Sequence, residues 1–161
     1  MSTVKEYQAI FTTRALIIHE NKLLIVRHSN PHSTYYALPG GKLEGDESLI
    51  NGLKREIYEE LNINAEIGPL ALVHEFIHPI YGGRRIEFFY TIQNTHEFLT
   101  LQNQENNTSS HAFEISEILW VDIADIANGT IDLKPYCLRD LFKSDQLQNI
   151  QSFNPHYVSQ Y

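Results

Sequence analysis

Glu56, Glu59 and Glu60 crowd the segment Arg55-Glu56-Ile57-Tyr58-Glu59-Glu60-Leu61, near the end of a stretch with helical periodicity. At about 100° per residue, the three carboxylates fall within an arc of about 100°. Like charges three or four apart on a helix repel by roughly 0.2–0.5 kcal/mol per pair. Glu59 and Glu60 also sit at the helix end where the macrodipole favours cations. A compensating charge is needed, and a hard divalent cation suits the site. Mg²⁺ takes oxygen ligands, keeps several waters and commonly binds substrate phosphates too. The competing reading is a solvated acidic face, since glutamate is a good helix former. Position argues against it. Leu49, Ile50, Leu53, Ile57 and Leu61 form the apolar stripe, and the glutamates lie on its shoulder rather than opposite it. Gly52 precedes Glu56 by one turn on the same side. An interior glycine costs about 1 kcal/mol against alanine, and here it leaves room for backbone or ligand to approach.

Several elements must position these groups. Tyr35–Leu38 reads as the end of a strand, and Leu38-Pro39-Gly40-Gly41 as a turn able to bend sharply or approach a ligand closely. Gly45-Asp46 makes a second turn. Ser48, with Asp46 as the alternative, caps a helix predicted over Leu49–Leu61. Asn62 follows as the left-handed residue that stops it.

The run from Gly41 to Ile63 resembles the Nudix box, G-x5-E-x7-R-E-U-x-E-E-x-G-U, where U is bulky and apolar. Gly41, Glu47, Arg55, Glu56, Ile57, Glu59, Glu60 and Ile63 match in register. Asn62 stands where the family has glycine, a conformation that asparagine tolerates. Residues 14–27 look like the family's first long hairpin, and residues 115–122 like its late strand before a final helix.

The resemblance implies an α+β (mixed α/β) fold, a Nudix-type mixed β-sheet sandwiched between α-helices. It also implies a MutT-like hydrolase that cleaves a pyrophosphate bond in a nucleoside diphosphate derivative, with Mg²⁺ as cofactor and Mn²⁺ as a substitute. Carried over residue by residue, Glu56, Glu59 and Glu60 become metal ligands, joined by a carbonyl at Gly40 or Gly41. Arg55 and Glu47 pair and tie the loop to the helix. A further glutamate is expected from the loop before the late strand. Glu114 is the first choice, with Glu105 and Glu117 as rivals. Glu59 and Glu114 stand equal as general base. Glu44 is a possible outer-sphere ligand.

Around these, Arg14 and Arg27 could reach phosphate or serve as strand-edge charges, and Arg84 and Arg85 could do the same near a turn. Tyr36, with Tyr35, Phe76 and Tyr81, could stack on a base or simply pack. His28, His74 and His78 read as structural histidines near strand ends. The alternative function is a non-catalytic Nudix-fold module that senses a nucleotide. Loss of a box glutamate or of Arg55 would have favoured it, and all are present. A blander third class is an acidic interaction domain. Nucleoside triphosphates, oxidised nucleotides, ADP-ribose, nucleotide sugars and dinucleoside polyphosphates all remain open as substrates.

Composition narrows the classes. The 161 residues suit one domain, read as residues 1–143, with a polar C-terminal tail over 144–161 that could dock on it through Phe153, Tyr157 or Tyr161. A net charge of −8 argues against nucleic-acid binding, which needs Lys and Arg against phosphates. No apolar run reaches about 18 residues, so no membrane partner is expected. The single cysteine, Cys137, excludes an internal disulfide and a cysteine zinc site. Residues 1–8 carry no secretory signal pattern, so a cytoplasmic location is expected. Monomer and homodimer both stay open.

The remaining expectations are structural. Ala9–Ile18 and Lys22–Arg27 should be strands joined by a turn at His19-Glu20-Asn21, followed by a polar loop over Ser29–Thr34. Strands are expected at Ala65–Ile67, Leu70–Phe76, Arg84–Gln93 and Glu117–Asp122. A turn is expected at Pro79–Gly83, a mobile loop at Leu101–His111, and a helix from Pro135 to Phe142.

Overall fold

A computed structural model describes residues 9–30, 33–79, 82–101, 114–144 and 156–160. In chain order the strands are β1 (Ala9–Leu16), β2 (Ile18–His19), β3 (Lys22–Asn30) and β4 (Ser33–Ala37), followed by helix α1 (Leu49–Leu61). Then come β5 (Ile67–Ile77), β6 (Arg84–Ile92), a 3₁₀ helix (Thr95–Leu101), β7 (Glu114–Asp122), α2 (Ile123–Asn128), β8 (Leu133–Lys134), α3 (Cys137–Lys143) and β9 (His156–Gln160). The architecture is α+β, with mixed sheets between helices. One sheet runs β1-β6-β5-β9; in the other, β3 is flanked by β2, β4 and β7, and β8 extends β4.

Strand alternation splits the core in two. From β3, Leu24 and Val26 face a cluster that includes Leu53, Ile57 and Leu61 of α1. Leu23 and Ile25 face a second cluster, with Ile126 of α2 and Leu138, Leu141 and Phe142 of α3. Cys137 is buried there, and burial pushes its thiol up to about 12. Among the described residues, no helix is long and apolar enough to cross a membrane.

The expected first hairpin is corrected. β1 does not pair with β3; it runs parallel to β6 in the other sheet. The chain changes sheets at Ile17, which is fully buried and whose carbonyl accepts the Leu24 N–H at 3.0 Å. Only the two residues of β2 then pair with β3. Between them, Glu20 and Asn21 have φ of 47° and 63°, the doubly left-handed pattern of a tight hairpin.

The polar loop at 29–34 is mostly strand, because Ser29 faces Thr34 and Asn30 faces Ser33 across the β3–β4 pair. The two strands around Gly68-Pro69 are one, with register irregularities between Ile67 and Leu72. β7 begins three residues earlier than expected, and its bulge falls opposite Arg27 and His28. α2 and the 3₁₀ helix were not anticipated, and the last helix starts at Cys137 rather than Pro135. Leu101 belongs to the 3₁₀ helix; residues 102–113 lie outside the described residues, and so do Tyr81, Phe153 and Tyr161. β9 lies parallel to β5 at the edge of its sheet.

Candidate active site

α1 forms where its sequence signals place it. Ser48 is the N-cap: its Oγ accepts the Asn51 N–H at 3.2 Å, with extended backbone at φ −73° and ψ 159°. Asn62 ends the helix at φ 55° and ψ 35°, and its N–H bonds the Tyr58 carbonyl. No basic residue stands in the last turn to offset Glu59 and Glu60.

Arg55 supplies the local compensation. Its Nε and Nη2 grip Glu47 at 3.1 and 2.7 Å, and Nη2 also reaches the Lys42 carbonyl at 3.1 Å. Nη1 donates to Glu56 Oε1 and Glu59 Oε2, each at 3.1 Å. Every guanidinium hydrogen is thereby used. The bond from Arg55 holds Glu47 below the usual carboxylate range, and the pairing expected for these two residues is present. The gap at Gly52 is filled by the loop: a Cβ there would meet Leu43 Cδ2 at 2.5 Å and Glu47 Oε1 at 2.9 Å. It makes room for protein rather than for a ligand.

The turn before α1 is fastened along the free edge of β1. Ala15 N–H bonds the Pro39 carbonyl at 2.8 Å, Thr13 N–H the Gly41 carbonyl at 2.9 Å, and Leu43 N–H the Phe11 carbonyl at 3.1 Å. Gly40 has φ +124°, and a Cβ there would lie 2.1 Å from the Thr13 carbonyl oxygen. Its N–H donates to Glu60 Oε2 at 2.8 Å. A Cβ on Gly41 would lie 2.3 Å from Glu56 Oε1, so the Glu56 carboxylate rests directly on the backbone. Burial raises the Glu56 pKa against the charge of Arg55. Burial pushes Glu60 up to about 8, against the Gly40 N–H and the charge of Arg14.

Among the described residues, no three His, Cys, Asp or Glu groups converge to hold a metal ion. Arg55 takes Glu56 and Glu59, and the Gly40 N–H takes Glu60. The donors nonetheless fit a hard cation. They are all oxygen, Glu56 and Glu60 border one glycine turn, and the Glu56 carboxylate lies in a cradle that any side chain at position 41 would fill.

The other sequence candidates separate. Arg14 Nη1 donates to the carbonyls of Leu38 at 3.2 Å and Gly40 at 2.7 Å, so it braces the turn. Arg27 Nη1 lies 3.7 Å from Glu117, and Arg84 pairs with Glu75. Tyr36 packs on the α3-side cluster, one face away from Tyr35. It is Tyr35 whose hydroxyl feels Glu60, Glu87 and Arg14, and its ring stacks on His28 with centroids 5.2 Å apart. Burial, with Arg14 nearby, lowers the His28 pKa to about 4. Glu114 opens β7 opposite Ser29 rather than lying in a loop, and its side chain is outside the described residues, as is Glu105.

Sequence reasoning passed over Glu87, the partner of His74, which it read as a structural histidine. The first is 8% exposed and the second 2%, and they meet at 3.0 Å in mid-sheet. The available signal was a carboxylate inside the apolar run Ile86-Glu87-Phe88-Phe89-Tyr90, which burial tolerates only with partners.

The NUDIX domain family profile matches residues 11–141. The chain belongs to the Nudix family. Within it, the chain is similar to the phosphatase NudJ of Escherichia coli strain K12, 34% identical over 68 residues, covering 42% of this chain and 44% of that protein. It thus spans under half the length of the curated relatives it matches. Among solved Nudix structures, a MutT protein from Methanosarcina mazei Go1 superposes with TM-score 0.66 at 26% identity, covering 91% of this chain and 99% of that one. A NUDIX hydrolase from Nitrosomonas europaea has TM-score 0.68 at 18% identity, covering 88% and 90%, and speaks for the fold alone.

Proposed function

We propose that this Nudix chain is a Mg²⁺-dependent, MutT-like hydrolase that cuts a pyrophosphate bond in a nucleoside diphosphate derivative. The observation that carries the reading is that Glu56 and Glu60 lie against the Gly40–Gly41 turn while Arg55 holds Glu56 together with Glu59. Glu56, Glu59, Glu60 and the Gly41 carbonyl would hold Mg²⁺ or Mn²⁺. A cation bound there neutralises charge spreading over phosphoryl oxygens. Glu59, with a side chain 44% exposed, is open to solvent and suited to take a proton from the attacking water. Glu114 is the second candidate for that role. Arg55 and Glu47 keep the loop on the helix.

Tyr35 lies near enough to Glu60 to feel its charge, so we assign it the substrate-facing role first read for Tyr36. Arg27 remains a candidate for the phosphates, whereas Arg14 is engaged with the Leu38 and Gly40 carbonyls. The reading takes residues 1–143 as the catalytic domain and places it in the cytoplasm as a monomer or homodimer, without nucleic-acid or membrane partners.

The test is incubation with nucleoside triphosphates, oxidised nucleotides, ADP-ribose, nucleotide sugars and dinucleoside polyphosphates under Mg²⁺, Mn²⁺ or EDTA, with products resolved by chromatography. Metal-dependent cleavage of one class is expected and names the substrate. Thermal stabilisation by one member without cleavage would replace the hydrolase by a nucleotide-sensing module.

A further inference from the structure

Glu87 on β6 and His74 on β5 face each other in the strand register, deep in the sheet. A buried carboxylate must be bonded or neutralised. Glu87 Oε2 meets His74 Nδ1 at 3.0 Å, and Oε1 lies 3.5 Å from Arg14 Nε. Burial pushes the Glu87 pKa up, but His74 and Arg14 outweigh it and leave the carboxyl below its usual range. An ionised carboxylate only accepts, so the His74 Nδ1 carries the hydrogen. The imidazole is held in turn by the ring of Phe76, stacked with centroids 4.9 Å apart.

The contacts continue outward. With Nε on Glu87, Arg14 turns Nη1 to the carbonyls of Leu38 and Gly40. Gly40 gives its N–H to Glu60, and Gly41 cradles Glu56. The chain of contacts is unbroken from the imidazole on β5 to two box carboxylates on α1. A buried ion pair is weak evidence of stability, because apolar replacements of similar volume are often neutral or better. Geometry is what this pair supplies. A guanidinium is a rigid planar fork, and fixing Nε fixes the direction of Nη1.

We propose that Glu87 and His74, acting through Arg14, are positioning residues that lock the Leu38–Gly41 turn and so set where Glu56 and Glu60 stand. The catalytic consequence rests on the hydrolase reading above; the structural one does not.

Arg14→Lys keeps the charge beside Glu87 and loses the fork. Its kcat is expected to fall about 10- to 100-fold with KM changed less than about threefold, as for a sub-ångström misplacement of reacting groups. Half-saturation by Mg²⁺ should rise, and the Gly40 and Gly41 amide resonances should move in ¹H–¹⁵N spectra. Glu87→Gln and His74→Gln should shift the same quantities in the same direction by smaller factors. The double variant Arg14→Met/Glu87→Leu removes both members of the buried ion pair at once. It guards against misfolding and should reproduce the Arg14→Lys loss.

Wild-type kcat and unmoved glycine resonances in the double variant would overturn the proposal. So would a rise in KM with kcat and the resonances unchanged, which would make Arg14 a direct substrate contact. If the wild-type protein cleaves nothing, the hydrolase reading fails by itself. The glycine resonances and Mn²⁺ affinity by calorimetry then still decide the positioning role.

Discussion

Arg55 bonds Glu47, Glu56 and Glu59 at once and is the counter-charge that holds them together. Lysine has three donors and no fork, so it cannot hold the Lys42 carbonyl and three carboxylates together. Arg55→Lys should lower kcat by about 10- to 100-fold through loss of alignment, and steady-state kinetics checks it. Glu60 allows a prediction at the same scale with a sign attached. Its folded pKa of about 8 lies above the ordinary 4.5, so without metal the folded chain holds this proton more tightly than the unfolded chain. That contribution is full below about 4.5 and is lost as pH rises through 8. Glu60→Gln can still accept the Gly40 N–H and has no such loss. In EDTA, the melting temperature of the variant relative to wild type should climb between pH 4.5 and 8 and level off above. A pH-independent difference would refute the assignment. His28 titrates with the opposite slope between about 4 and 6.5, and it cancels because both proteins carry it.

Between elements, the decisive joint is the glycine turn clamped between β1 and α1. Gly41→Ala would drive a methyl to 2.3 Å from Glu56 Oε1. Either the carboxylate swings out or the turn lifts from β1, and in both cases the geometry proposed to hold the metal is lost. We expect near-complete loss of turnover with the protein still folded, checked by activity beside circular dichroism. Ser48→Ala at the other end of the helix should cost about 1 kcal/mol of stability and leave Mg²⁺ dependence unchanged, as removal of an N-cap does. Denaturant titration reads this. These parts were legible because they are local: the period of α1, the cap at Ser48, the stop at Asn62 and the bend at Gly40 are each set within a few residues. The exit of β1 from the expected hairpin was not legible. Nothing in Arg14-Ala15-Leu16-Ile17-Ile18 says that the strand ends at Leu16 and that its partner is β6, some seventy residues onward. Such pairing is decided by which apolar faces meet, not by local propensity.

For the molecule as a whole, the same limit hid half of the site's support. Arg14 looks like a phosphate ligand in sequence, because its anionic partner Glu87 and that partner's imidazole His74 lie on two other strands. Only the β1-β6-β5 order joins them. That order continues to β9, whose Val158 sits in register with His74. β9 is therefore more than an appended tail: it shields the β5 edge that carries the inner end of the Arg14 chain. Removing residues 144–161 turns β5 into an exposed edge strand, and such edges recruit other chains. The truncated protein should melt about 5 °C lower, on the scale expected for one or two kcal/mol in a domain of this size. It should also self-associate as concentration rises, and it should lose kcat rather than gain KM as the His74 end of the chain loosens. Light scattering, thermal melts and kinetics on the same preparation check all three. A monodisperse truncate with wild-type melting and turnover would mean that β9 contributes neither to the edge nor to the site.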